Sequence, residues 1–322
     1  MINRRSFMAS LLLPAAAGSG LIAAGEAFGR APAAEFVGTD SWFNTDQQLS
    51  LAELRGSPVL VEFGTYTCIN WRRTLPYVKR WHSEYGPQGL RVVGVHTPEF
   101  SFERTRGYIE HELRALGVAF PMAQDNEFKT WRAFNNSAWP AFYLFNKNGR
   151  LLLQRDGEGY SVEIEDAIRG ELGLPRGATS QDADVSGVDS PEFYFGSLHG
   201  TPQDRGQSPG NGERVYEIAG STAPRLNEYD LQGTWARGSE PLTLRSAAGR
   251  VRVRFSAAKL HLVAGAAQPA AVRVRVDGGP EQTMEIGLPT LYTLLDGNTY
   301  GEHLIELETA TPGLTLYSAT FG

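Results

Sequence analysis

The sequence predicts a three-layer α/β domain followed by an all-β sandwich of jelly-roll type. Three observations carry that expectation. Strand and helix patterns alternate from residue 36 to 175. From Leu174 to Gly187 no apolar period survives, as in a linker. From about Asp189 onward helical periodicity is absent, and short alternating strands recur between turn residues.

Each element has a local reason. Ser57-Pro58 opens Val59-Leu60-Val61-Glu62-Phe63, a short branched run that suits a central strand. From Cys68 to about Tyr85 the pattern is helical, with Leu75, Val78 and Trp81 at spacings of three and Pro76 placed to kink it. Leu90–His96 reads as a strand, and Ser101–Leu116 as a helix with Ser101 at its N-cap. Ala141–Phe145 is a strand, Asn146-Lys147-Asn148-Gly149 a hairpin turn and Arg150–Arg155 the returning strand. A closing helix runs from Ser161, its expected cap, to Leu172. In the second part, strands are expected over Arg250–Phe255, Lys259–Val263, Ala271–Val276, His303–Leu307 and Leu314–Tyr317.

The first residues read as a leader. Asn3-Arg4-Arg5-Ser6-Phe7-Met8 has the twin-arginine pattern, and the weakly apolar run Ala9–Ala24 ends near Ala31-Pro32-Ala33, a small-x-small cleavage site. The expected division is a leader over 1–33, an α/β domain over 34–175, a linker over 176–188 and a sandwich over 189–322. The chain has 30 basic and 36 acidic residues. Removing Arg4, Arg5, Arg30 and Glu26 with the leader leaves 27 and 35, a net charge of −8 with His neutral. So acidic a chain offers no footprint for nucleic acid or an anionic membrane. Twin-arginine export implies the periplasm or cell envelope, an oxidising place.

One residue stands out chemically. Cys68 is the only cysteine of the 322 residues, so no internal disulfide can form. It stands where a strand runs into a helix. There the unpaired N–H groups and the helix dipole favour thiolate, which places the expected thiol pKa in the ~3.5–7.5 range. Arg72 and Arg73 would add to that if they lean towards the sulfur. The six histidines show no metal-ligand spacing, and no phosphate loop or serine elbow is present, so neither a metal nor a cofactor is expected.

Four features of the first domain resemble the thioredoxin fold family. Glu62 lies at the end of a core strand, where thioredoxins keep a buried acid. Cys68 stands where the first cysteine of Cys-x-x-Cys belongs. Pro76 matches the helix-kinking proline. Trp139-Pro140 matches the cis-proline that faces the thiol. Within that family the exported TlpA-like branch, and DipZ-type proteins in particular, are similar in Thr65-Tyr66-Thr67-Cys68-Ile69-Asn70, in Trp139-Pro140-Ala141 and in Asp156-Gly157-Glu158-Gly159. The soluble C-terminal region of DipZ-type proteins continues into a β-sandwich like carbohydrate-binding modules, so the resemblance covers nearly all of the chain beyond the leader. One departure matters: Trp71 replaces the second cysteine.

The resemblance implies thiol-disulfide chemistry with Cys68 as nucleophile, Pro140 shaping a substrate groove and Trp71 closing it. Without a second thiol the cycle stops at a mixed disulfide until an external thiol resolves it. The implied partners are envelope protein disulfides or low-molecular-weight thiols, an external thiol reductant, and a glycan at the sandwich, where Trp235, Tyr216, Tyr229, Tyr292 and Tyr300 are the stacking candidates. Glu62, a proton relay for the second thiol in the family, loses that role. Two alternatives stay open. One is a redox-inactive module binding peptide or glycan. The other is a one-cysteine thiol peroxidase, since Thr65 precedes Cys68 by three residues as in peroxiredoxins, although Val61 stands where those carry Pro.

Overall fold

The computed structural model describes residues 34–39, 41–198, 210–218 and 222–322. The leader expected over 1–33 lies outside the described residues. Residues 34–322 form one compact unit built on two sheets. The first has six strands: β1 (Ser41–Phe43), β2 (Val59–Gly64), β3 (Arg91–His96), β4 (Met122–Gln124), β5 (Ala141–Phe145) and β6 (Leu151–Asp156). Their order is β1-β4-β3-β2-β5-β6. The β2–β3 and β3–β4 pairs are parallel and the others antiparallel.

Strand alternation decides what each face of this sheet carries. Val59, Val61 and Phe63 of β2 pack with Val93, Val95, Tyr143 and Phe134 on one face, where the short helix α3 (Lys129–Ala133) lies. The residues between them point the other way. There Leu60 meets the helices α1 (Ile69–Tyr85), α2 (Arg106–Ala115) and α4 (Ser161–Glu171) through Trp81, Ile109, Leu113, Ile164 and Ile168. The result is a three-layer α/β arrangement, as expected. Glu62 and Gly64 share the parity of Leu60, which brings an acid and a bare backbone beneath α1.

Two local expectations need correction. The helix expected from Ser101 is a short 3-10 turn, Ser101–Arg104, followed by α2 with Thr105 at its N-cap. Ser101 caps neither; its hydroxyl and amide donate to Glu240 instead. Ser161 is the first residue of α4 rather than its cap, and its hydroxyl is buried. The linker expected over 176–188 is bound along its length. Ser180 N donates to Glu165 Oε2 at 2.8 Å, Ser161 N donates to Asp182 Oδ1 at 3.2 Å, and Tyr300 donates to the Asp184 carbonyl at 2.7 Å.

The second sheet is antiparallel throughout. Its strands are β7 (Phe193–Tyr194), β8 (Gly212–Tyr216), β9 (Glu228–Arg237), β10 (Leu242–Leu244), β11 (Gly249–Ser256), β12 (Lys259–Ala266), β13 (Ala270–Val276), β14 (Gln282–Ile286), β15 (Thr290–Asp296), β16 (Glu302–Thr309) and β17 (Leu314–Phe321). The main path runs β14-β13-β16-β11-β9-β10-β17-β12-β15, with β7 on β17 and β8 on β9. Strands far apart on this path share one core: Val272 and Ile286 from one end, Leu262 and Leu294 from the other, with Tyr229, Trp235 and Phe255 between. The sheet therefore folds over on itself and is nearly a barrel. All five strands expected here are present, each longer than the apolar alternation alone marked. The long β9 was missed, because Gly233 and Gln232 break its alternation.

One charged pair is buried inside this sheet. Arg252 of β11 faces Asp230 of β9 across the ladder, with contacts of 2.9 and 2.7 Å, and both side chains are closed to solvent. Removing one partner strands the other charge. Asp230→Ala is expected to lower unfolding stability by about 3–5 kcal/mol, and an Asp230→Leu/Arg252→Met double variant to recover most of that loss; urea unfolding measures both.

Among the described residues, no helix is long and apolar enough to cross a membrane.

Candidate functional site

Cys68 is the N-cap of α1, with extended backbone (φ −73°, ψ 114°). Its amide donates to the Thr65 carbonyl at 3.1 Å, and its own carbonyl accepts from Arg72 N at 3.0 Å, which begins the helix. Its Sγ points at the Trp139 carbonyl, 3.7 Å away, across the cis Trp139–Pro140 peptide. The sulfur opens on a cleft of about 420 Å³. One wall holds Asn70, Arg73, Glu99, Trp139 and Glu158; the other holds Val185, Val188, Glu192, Tyr194, Thr320 and Phe321. The cleft is thus shared between the first sheet's helical layer and the second sheet.

Trp71 does not close this cleft, contrary to the expectation. Its indole is fully buried beneath α1 and packs over Gly64. The reason is helical geometry: three residues after Cys68 the side chain returns towards the sheet. Only a residue without Cβ leaves room there, since a Cβ on Gly64 would sit 2.1 Å from Trp71 Nε1. That glycine was the signal in the sequence. The indole N–H lies beside the Glu62 carboxyl, yet no Glu62 oxygen nor Trp71 Nε1 has a hydrogen-bond partner of good geometry. Burial therefore pushes Glu62 up to about 8, and the indole offsets only part of it.

The expected thiolate is also corrected. The backbone N–H groups of Asn70 and Trp71 do favour it, as a helix start should. Burial of the thiol works against them, and the Glu99 charge adds to burial, with Glu192 further behind; together they hold Cys68 well above the ordinary thiol range. The arginines give no relief. Arg72 donates to the Tyr66 carbonyl at 2.6 Å, and to Glu112 and Thr290, each at 3.0 Å. Arg73 donates to Glu158 at 2.9 Å, Asn70 at 3.0 Å and the Phe321 carbonyl at 2.6 Å. Both guanidiniums fasten the second sheet to α1, and neither is spent on the sulfur.

Thr65 is likewise committed elsewhere. Its hydroxyl donates to Glu103 and lies 3.3 Å from His96 Nε2. Glu103 is fully buried, and it also accepts from Thr67 Oγ1 at 2.6 Å, Thr67 N at 3.3 Å, Glu99 N at 2.6 Å and Phe100 N at 2.9 Å. It ties the loop before Cys68 to the turn that carries Glu99. His96 is buried and stacks on Tyr66; burial pulls its pKa down to about 3, so it stays neutral.

Sequence reasoning missed Glu99, Glu103, Glu192, Tyr194 and Thr320. The spacing of Glu103 after Phe100 fits a carboxylate that caps a turn, which was a usable signal. No local pattern marks the others, because Glu192, Tyr194 and Thr320 reach the cleft only through the second sheet. Of the stacking candidates, Trp235, Tyr216 and Tyr229 are buried and fill the core rather than present a sugar-binding face. Among the described residues no cluster of His, Cys, Asp and Glu gathers as a metal site would.

Comparison with known proteins agrees with this architecture. The AhpC/TSA family matches residues 30–153, and the thioredoxin like C-terminal domain matches residues 190–322. The chain belongs to the thioredoxin-like family. Over 308 residues it is 32% identical to Protein DipZ of Mycobacterium bovis, covering 92% of this chain and 43% of DipZ; the chain thus spans less than half of that relative. It is also similar to the thiol-disulfide oxidoreductase YkuV of Bacillus subtilis, with 30% identity over 135 residues, 41% of this chain and 89% of YkuV. A thioredoxin-like protein solved in its oxidized form covers 45% of this chain and 96% of its own, at 26% identity and a TM-score of 0.41.

Two expectations follow from the buried pair beneath α1. Gly64→Ala is expected to cost about 3 kcal/mol of stability, and Trp71→Cys in the same chain to relieve most of it by opening the space; urea unfolding of both variants checks this. Glu62 carries a proton in the folded chain at neutral pH and loses it on unfolding. Its contribution to stability is therefore full below about pH 4.5 and is lost as pH rises towards 8. Glu62→Gln should gain up to a few kcal/mol over the natural chain at pH 8 and close to nothing at pH 4, read from unfolding curves at both values.

Proposed function

We propose that this protein carries out thiol-disulfide exchange through Cys68 alone, leaving a mixed disulfide that an external thiol resolves. The observation that carries this reading is that the lone thiol opens on a formed cleft, while the place of a resolving thiol is filled by the buried Trp71 indole. Cys68 is the nucleophile. Trp139 and Pro140 shape its side of the cleft, and Arg72 and Arg73 hold the opposite wall in position. The substrates are envelope disulfides or small thiols in mixed disulfides, and the reductant is a small thiol or a partner's. Export by the twin-arginine route with loss of residues 1–33, and the division into domains over 34–175 and 189–322, belong to the same proposal.

A peroxidase reading receives less support. Thr65 gives its hydroxyl to Glu103 and so does not polarise a peroxide beside the sulfur. A raised thiol pKa also opposes the fast oxidation that such enzymes need.

A disulfide probe should modify folded Cys68 and leave a stable adduct by mass spectrometry, released only by added thiol and absent in Cys68→Ser. A thiol that is inert when folded yet reactive in urea would overturn the reading in favour of a binding module. The rate of alkylation should keep rising through pH 9, because the proton must first leave a destabilised thiolate. A plateau already reached by pH 7 would contradict the electrostatics described above.

A further inference from the structure

The cleft brings two carboxyls together beside the thiol. Glu99 and Glu192 both line it beside Cys68. The Tyr194 hydroxyl stands between them, donating to Glu99 Oε1 at 2.8 Å and bonded to Glu192 as well. A phenol has one hydrogen to give, so it serves one carboxylate at a time. Arg73 is the sole Lys or Arg among the residues lining the cleft, and it is spent on Glu158. Where both are ionised the two carboxyls repel each other, and Glu99 is held above the usual carboxylate range, by burial first and then by Glu192. A proton relieves that conflict, and so does a ligand cation.

A second observation points to a ligand. Thr320 lines the same cleft, is only 7% exposed, and its hydroxyl has no hydrogen-bond partner. A buried hydroxyl without a partner is costly unless something enters to meet it. The volume, about 420 Å³, suits a small molecule.

We propose that the cleft takes low-molecular-weight disulfides bearing an amino group close to the sulfur, with the ammonium seated against the cleft-facing oxygens of Glu99 and Glu192 and the near sulfur presented to Cys68. This rests on the exchange chemistry proposed above and names its substrate class. The step balances without any further reactant. Cys68 loses its proton, its sulfur bonds to one sulfur of the ligand, the ligand's S–S bond breaks, and the departing aminothiolate takes up a proton. One thiol is oxidised as one disulfide half is reduced.

The test uses the folded chain and three probes of similar size: cystamine (cationic), bis(2-hydroxyethyl) disulfide (neutral) and 3,3′-dithiodipropionate (anionic). Rates of Cys68 adduct formation at pH 8 are read by mass spectrometry. Each is divided by the rate with the urea-unfolded chain, which removes the probes' intrinsic reactivity. Cystamine should be favoured over the neutral probe by about tenfold or more, the anionic probe should be slower than either, and the cystamine preference should fall to about twofold or less in Glu99→Gln/Glu192→Gln. A normalised preference near one, or one that persists in that variant, overturns the inference while leaving exchange chemistry intact. If no probe modifies folded Cys68 although all modify the unfolded chain, the exchange reading itself has failed.

Discussion

The carboxylate of Glu103 holds the two sides of the thiol's surroundings in one geometry. It has no access to water, so its charge or its proton must be met from within. It is met by two threonine hydroxyls and three backbone amides drawn from two segments that are distant along the chain. One segment leads directly into Cys68, and the other carries Glu99 and Phe100. Phe100 then packs on Tyr317 and Tyr194 of the second sheet. A single buried acid thus sets the start of α1, the position of a cleft carboxyl and the seat of the second sheet.

The replacement of a second thiol by Trp71 reorganises the space beneath α1 without disturbing the helix above it. Gly64 supplies the room, and Glu62 is left with an indole in place of a titrating sulfur. The acid keeps its buried position, which the resemblance to thioredoxins led us to expect, but it faces inward and has no route to the cleft through a second cysteine. Under the proposed function, redox work at this site falls to the one thiol that faces outward.

That sulfur sits in conflicting fields. The N-terminus of α1 favours its anion through the Asn70 and Trp71 amides. Burial and the Glu99 charge oppose it and prevail. A thiol held neutral in this way is protected from indiscriminate oxidants, since reactivity follows the thiolate. A ligand that brings positive charge to Glu99 and Glu192 would remove part of the opposition at the moment of binding, which links recognition to activation through electrostatics alone.

Much of the first domain was legible because its rules are local. Short apolar runs marked β2, β3 and β5, Asn-Gly chemistry marked the turn between β5 and β6, and a lone cysteine before an amphipathic stretch marked the start of α1. The side chain at position 71 was read in the wrong direction, although Gly64 recorded the space it needs. The sequence by itself determined a strand-to-helix junction bearing a single thiol, with no second thiol among the 322 residues to resolve it. Only the tertiary structure decided what that thiol meets. Glu192, Tyr194 and Thr320 lie more than a hundred residues further on, and they reach the sulfur through the docking of the second sheet by Arg72, Arg73 and a set of aromatic rings. Charge and burial at the sulfur are sums over neighbours in space, and no periodicity along the chain encodes such a sum.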